Sequence, residues 1–220
     1  ADAITMLFAH NGALYISKED MPYYLNKDGA VQKDKAPELI SATCSTSGKN
    51  AFIWKDELLY PFGTQGLLRV GTSNSYISPA KYGSNISEFS GRVFAVTGDE
   101  EWAFIAVDNS TKVEILKGRE ETIDGVTDWV WHPIHELTLT GVETLSVSSV
   151  YQKRLWITST LASDSIYYLA LPVTYGNVTS DANNNFLTNT YCEFSSLHGG
   201  FKSDIKYYVK AVATLGHAYS

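Results

Sequence analysis

Cysteine, arginine and long apolar runs are all scarce in this chain, and each shortage removes a class of function. Only two of its 220 residues are cysteine, Cys44 and Cys192, and 148 positions separate them. That spacing rules out the closely paired thiolates of structural zinc motifs. It leaves one disulfide closing a long loop or two isolated thiols, the second being the favoured reading, so the redox compartment stays open. Arginine occurs at four positions, Arg69, Arg92, Arg119 and Arg154, with no motif marking them as a group. Formal net charge is −7, and the most basic stretch, Lys27 to Lys35, is broken by Asp28 and Asp34. Nothing here could follow a phosphate backbone, so nucleic acid is not expected as a partner. No run reaches the ~18 apolar residues needed to cross a bilayer. Ile4 to Ala9 is too short and lacks the basic flank of a signal peptide. Membrane insertion is not expected, and helical periodicity is absent over any stretch of ten residues.

What the chain does have is a short apolar word that returns. It reads Leu14-Tyr15-Ile16, Ala51-Phe52-Ile53, Ala103-Phe104-Ile105, Leu155-Trp156-Ile157 and Tyr207-Tyr208-Val209, with steps of 37, 52, 52 and 52 residues from Ile16 onward. This is the period range of architectures that repeat one supersecondary unit. A strand unit of that size cannot bury its own apolar face, so copies must stack, and stacking around an axis is a β-propeller. The last word lies about ten residues before Ser220, and the chain opens on Ala1. The expectation is one all-β repeat domain over residues 1–220, cut from a longer polypeptide or processed at its ends.

A second apolar run follows each of the first four words after a polar turn: Met21 to Leu25, Leu58 to Phe62, Val113 to Leu116 and Ile166 to Leu171. These are hairpin signals. Asp108-Asn109-Ser110 joins one pair of arms, and Asn26-Lys27-Asp28-Gly29 closes another, with Gly29 free to adopt positive φ. Strands are also expected at Arg92 to Val96 and Thr144 to Val147. Tyr76-Ile77 and Trp129-Val130, each followed by proline at Pro79 and Pro133, fit fourth strands confined to an edge or a strand end. The polar stretch Thr179 to Asn189 reads as an exposed loop. The rival to a propeller or propeller portion of antiparallel meanders is a β-sandwich or jelly roll.

Candidate chemistry is thin. His132-Pro133-Ile134-His135-Glu136 gathers two imidazoles and a carboxylate, but three-residue spacing in a proline-containing strand puts the histidines on opposite faces, so no metal site is expected. Thr122-Ile123-Asp124-Gly125-Val126-Thr127-Asp128-Trp129 partly resembles the Asp-box turn of sialidase propellers, departing from it because Asp124 and Gly125 adjoin and Asp128 intervenes before Trp129. Asp99-Glu100-Glu101, between Gly98 and a strand, reads as a solvated turn. For paired acid–base chemistry the sequence offers candidates such as Asp99, Glu101, Asp124 and Asp128, with no reason to choose among them. There is no nucleophile elbow, phosphate-binding glycine loop or catalytically spaced Cys/His pair. The sequons at Asn85, Asn109 and Asn177 are no more than an Asn- and Ser-rich chain yields by chance. The expectation is no catalytic residue, no metal, no cofactor and an unassigned binding site.

Lys153-Arg154-Leu155-Trp156-Ile157, then Ile166-Tyr167-Tyr168-Leu169-Ala170-Leu171-Pro172 and a polar loop, resemble propeller-like modules of large virion proteins from tailed bacteriophages, as does Trp129-Val130-Trp131-His132-Pro133-Ile134 before them. The likeness covers roughly residues 90 to 210. It implies a tail or adhesin component, virion-borne or extracellular, that contacts other virion proteins or a host-surface glycan or protein. The resulting expectation is a non-enzymatic structural or binding module displaying loops from a rigid scaffold. A soluble carbohydrate-binding propeller and a glycan hydrolase or lyase are its rivals.

Overall fold

Alternating apolar residues and short polar turns build antiparallel hairpins, and hairpins make up nearly all of the described chain. The computed structural model describes residues 3–10, 12–33, 44–64, 66–71, 73–82, 89–123, 125–138, 141–149, 152–160 and 166–172. The chain divides into two compact units, Ala1–Ala170 and Leu171–Ser220. Of the second, only Leu171 and Pro172 are described. Tyr207-Tyr208-Val209, the loop Thr179 to Asn189 and Cys192 lie outside the described residues.

Four antiparallel sheets follow one another, each a meander in chain order. Sheet one holds β1 (Ile4–His10), β2 (Ala13–Lys18), β3 (Pro22–Leu25) and β4 (Val31–Lys33). Sheet two holds β5 (Phe52–Trp54), β6 (Glu57–Phe62), β7 (Gly66–Val70) and β8 (Ser75–Tyr76). Sheet three holds β9 (Arg92–Gly98), β10 (Ala103–Asp108), β11 (Val113–Ile123) and β12 (Val126–Leu137). Sheet four holds β13 (Val142–Ser148), β14 (Arg154–Ser159) and β15 (Ile166–Ala170). Among the described residues the only helix is the 3-10 turn Pro79–Tyr82, and no helix is long and apolar enough to cross a membrane. The fold is all-β.

The recurrent word does not mark one strand throughout. It lies on the second strand of sheets one, three and four but on β5, the first strand, of sheet two. The step from Ile53 to Ile105 therefore joins non-equivalent strands, and the short first step comes from the same displacement. The unit that recurs is the meander, not the word. The hairpin signals hold: Gly29 has φ 77° in its turn, and Pro133 falls on the edge strand β12 beside a register shift opposite Ile115 and Leu116.

Sheet two is covered on both faces. Leu59 and Leu67 pack with Val96, Ile105 and Leu116 of sheet three, while Leu58, Tyr60 and Leu68 pack with Met6, Phe8 and Met21 on the side of sheet one. The period of two along a strand sends alternate residues to opposite faces. A strand covered on both sides must therefore be apolar throughout, and Leu58-Leu59-Tyr60 is. Every residue of β10 is buried as well.

Three indoles seat on a shelf of small residues. Gly98, Ala103 and Gly118 are paired across β9, β10 and β11, and Gly118 is opposite Trp131 on β12. A Cβ on Gly118 would lie 2.3 Å from a Trp131 ring carbon and 2.7 Å from Trp129 Nε1, and one on Gly98 would lie 2.3 Å from Trp54. Trp54 and Trp129 meet edge to face at 5.5 Å, and Trp129 lies 5.6 Å from Trp131. Trp131 Nε1 donates to the Ile77 carbonyl at 2.6 Å.

Polar ties join the first strands. Asn50, at φ 59°, donates through its carboxamide to the carbonyls of Phe94 on β9 and Glu143 on β13, and Lys49 Nζ lies 2.6 Å from Glu143. Elsewhere, Lys112 bridges the cross-strand pair Glu114 and Glu136 at 2.6 Å each. Burial pushes the Glu114 carboxyl above its ordinary range despite Lys112.

Two outcomes follow for stability. Gly118→Ala should lower the unfolding free energy by about 1–3 kcal/mol, because two buried rings must shift; urea denaturation of the two proteins measures it. Lys112→Met should cost about 3 kcal/mol at neutral pH by leaving Glu114 buried without its cation. Since the folded-state pKa of Glu114 is already raised and would rise further, the variant's deficit should shrink as pH falls through that value, which urea midpoints at neutral and mildly acid pH would reveal.

Candidate functional site

β11 and β12 outrun their sheet. The last pair between β10 and β11 is Ala103 with Gly118, whereas β11 and β12 stay paired to Ile123 and Val126. Residues 119–123 of β11 are thus paired on one side only among the described residues. The turn ends in a two-residue connection with Gly125 at φ 77°, the geometry that favours a tight hairpin.

A cleft of about 760 Å³ opens beside this overhang, lined by Trp54, Lys55, Glu57 and Arg69 of sheet two and by Glu101, Arg119, Glu120, Glu121, Thr122 and Trp129 of sheet three. The period of two explains the sheet-two contribution. Trp54 is opposite Glu57, and Leu59, on the face toward sheet three, is opposite Arg69. All three side chains therefore share that face. Lys55 and Asp56 turn the chain between them with φ of 50° and 64°, and Lys55 Nζ sits 4.5 Å over the Trp54 ring.

Ion pairs fill the walls. Arg69 lies 3.4 Å from Glu57, pairs with Glu120, and sits 5.8 Å from the Trp129 ring. Arg119 lies 3.2 Å from both Glu101 and Glu121, with its guanidinium 4.0 Å over Trp102. Lys117 lies over the same ring at 4.5 Å; burial and then the nearby Arg119 charge hold its ammonium below the usual lysine range. Among the described residues, each carboxylate of the cleft is held by a guanidinium.

Of the three proposed acid–base carboxylates among the described residues, Asp99, Glu101 and Asp128, only Glu101 lines this cleft. Asp99 is not the solvated turn residue expected. Its carboxylate is nearly buried, accepts the Glu101 and Trp102 amides at 2.8 and 2.7 Å, and pairs with Lys153 at 2.9 Å, while its carbonyl accepts Trp54 Nε1 at 2.6 Å. Asp128 pairs with Lys81 at 2.7 Å, and that hydrogen bond, with one from the Trp129 amide, lowers its pKa. Asp124 lies outside the described residues. His132 stands edge-on to Trp102 at 5.8 Å and 3.5 Å from Glu121. Among the described residues no three His, Cys, Asp or Glu side chains group as a metal site.

Glu57, Arg69, Glu120 and Glu121 were not singled out from sequence. A signal was there: Arg119-Glu120-Glu121 puts charge at three consecutive positions just past the strand expected at Val113 to Leu116, so that charge falls on both faces if the strand continues. Arg92 and Arg154 lie elsewhere, Arg92 Nη2 donating to Cys44 Sγ at 2.9 Å and Arg154 stacking 4.1 Å over Tyr168. No family model, curated protein or solved structure matches the chain.

Cys44 is a free thiol. Burial pushes its pKa up, but hydrogen bonds from the Thr46 amide and hydroxyl and from Arg92 outweigh that and hold it below the ordinary thiol value. In a Cys192→Ser background, iodoacetamide alkylation of Cys44 should turn on at a pH below that of a free thiol, and Arg92→Ala should move the midpoint upward.

Proposed function

We propose that this chain is a portion of a β-propeller acting as a non-enzymatic contact module of a tailed-phage particle. The observation that carries the reading is the succession of meander sheets, each hydrogen-bonded in chain order, with sheet two buried on both faces. The packing of β9 against β5 and β13 favours a radial stack, in which the first strands of successive units converge. No described strand crosses from one sheet into another, which speaks against the Greek-key exchange of a jelly roll. The phage setting rests on the strand patterns around Trp129 to Pro133 and Lys153 to Pro172.

Contact rather than bond breaking is favoured by the cleft itself. A glycosidase needs one carboxyl protonated and another free as nucleophile or base. Glu57 and Glu120 are engaged by Arg69, and Glu101 and Glu121 by Arg119, so each of the four is already occupied by a guanidinium rather than free to act as nucleophile or base.

Prolonged incubation of the chain with bacterial surface polysaccharide should release no reducing ends, and an antibody raised against residues 90–170 should label virion tails in a lysate. Release of reducing ends abolished by Glu101→Gln would give the cleft to a hydrolase. Antibody label confined to the particle-free fraction would overturn the virion setting.

A further inference from the structure

The cleft lining contains four consecutive residues of one strand, Arg119, Glu120, Glu121 and Thr122. Side chains of a strand alternate between faces, so a consecutive run borders one cavity only when the strand's edge faces it. That is the edge from which β10 has already turned away: β10 stops pairing at Gly118, and the chain before Ala103 folds into the Asp99–Trp102 turn. The backbone groups of residues 119–123 on that side therefore carry no described strand, and those of residues 119–122 border the cleft. Five residues at about 3.3 Å each give an edge of roughly 17 Å.

We propose that this edge is a strand-addition site, taking a short extended lysine- or arginine-bearing segment of a partner protein in the line that β10 vacates. Main-chain hydrogen bonds to an open strand edge supply affinity in this mode of recognition, and alternate side chains supply specificity. The flanks are already built. One side of the added strand would meet Arg69, Glu57 and Trp129, and the other would meet Arg119, Glu121 and Glu101.

Charge selects the occupant. Among the described residues of the lining, four carboxylates, Glu57, Glu101, Glu120 and Glu121, stand against three cations, the exposed Lys55 and the guanidiniums of Arg69 and Arg119; Glu120 at 51% and Glu101 at 45% are more open than Arg69 at 15% and Arg119 at 37%. The described lining thus carries one more negative than positive charge, its guanidiniums lying deeper than Glu120 and Glu101, on a chain of net charge −7, and a cationic segment is the complementary partner. Charged residues also guard free edges against indiscriminate pairing. Here they flank an edge that lies along a cleft.

This inference deepens the contact-module reading and rests on it for the premise that the cleft binds without cutting. Its test is separate. The probe is the capped heptapeptide KTVTVTK, followed by amide NMR shifts and hydrogen exchange of the whole chain. Saturable binding that protects amides within residues 119–123 is expected. Because a strand pairs through one edge, N-methylation of one alternate set of peptide amides should weaken binding by at least about tenfold and methylation of the other set should not. The peptide ETVTVTE should bind more weakly than KTVTVTK, and Glu120→Gln should narrow that difference, with shifts remote from the cleft reporting that the variant is folded. Equal binding of both methylated peptides, or protection elsewhere, or no saturable binding, overturns the proposal. Displacement of these amides by an oligosaccharide alone would assign the cleft to a glycan instead. A negative peptide result leaves the contact-module reading to be judged by polysaccharide release and tail labelling.

Discussion

Packing of Trp54, Trp129 and Trp131 onto a row of residues with almost no side chain is the constraint on which the junction of sheets two and three depends. Gly98, Ala103 and Gly118 make a shelf across three strands, and the indoles occupy the space their side chains would fill. Aromatic rings of this size contribute large buried area and prefer edge-to-face contact, and both features are present. Two of these rings, Trp54 and Trp129, also line the cleft. Whatever enters it meets walls whose positions are fixed by core packing rather than by loop chemistry.

Polar groups then set the order in which the sheets meet. Asp99 joins the turn of sheet three to Trp54 of sheet two and to Lys153 beside β14. Asn50 reaches β9 and β13 from the entrance to β5. A buried hydrogen bond contributes modestly when made and costs more when its partner is lost. Groups placed like these therefore act mainly to exclude other arrangements, since a slipped stack would leave each of them buried and unpaired. Charge in the cleft works similarly. The guanidiniums hold the carboxylates apart and in place, so the site is shaped before anything binds.

Strand identity, hairpin turns and the all-β class were legible because they depend on local pattern: alternation in Lys112 to Leu116, Gly29 in its turn, and the apolar run of β6 that announces burial on both faces. The period was legible only in part. An aromatic followed by a β-branched residue satisfies any half-buried strand, so the word landed on β5 in one sheet and on second strands in the others. Within the acidic turn, whose Glu100 and Glu101 are open to solvent as expected, Asp99 alone was misread, for a related reason. Sequence shows that Asp99 is acidic and next to glycine, but not that Lys153, 54 residues later, arrives to pair with it.

The amino-acid order by itself determined the hairpin turns at Asn26–Gly29 and Asp108–Ser110, because those choices are made by neighbours along the chain, but not how far the strands run, since β11 continues to Ile123, beyond the Leu116 at which its apolar pattern ends. It also determined that the units must stack, because no single meander of this composition can cover its own apolar face. The cleft was decided by tertiary structure alone. Glu57 and Arg69 reach it from one sheet and Glu101, Arg119 and Glu120 from another, and its open edge exists only because β11 continues past the point where β10 ends. Lengths of paired strands and distances between sheets are relations between remote segments, and no local pattern encodes them.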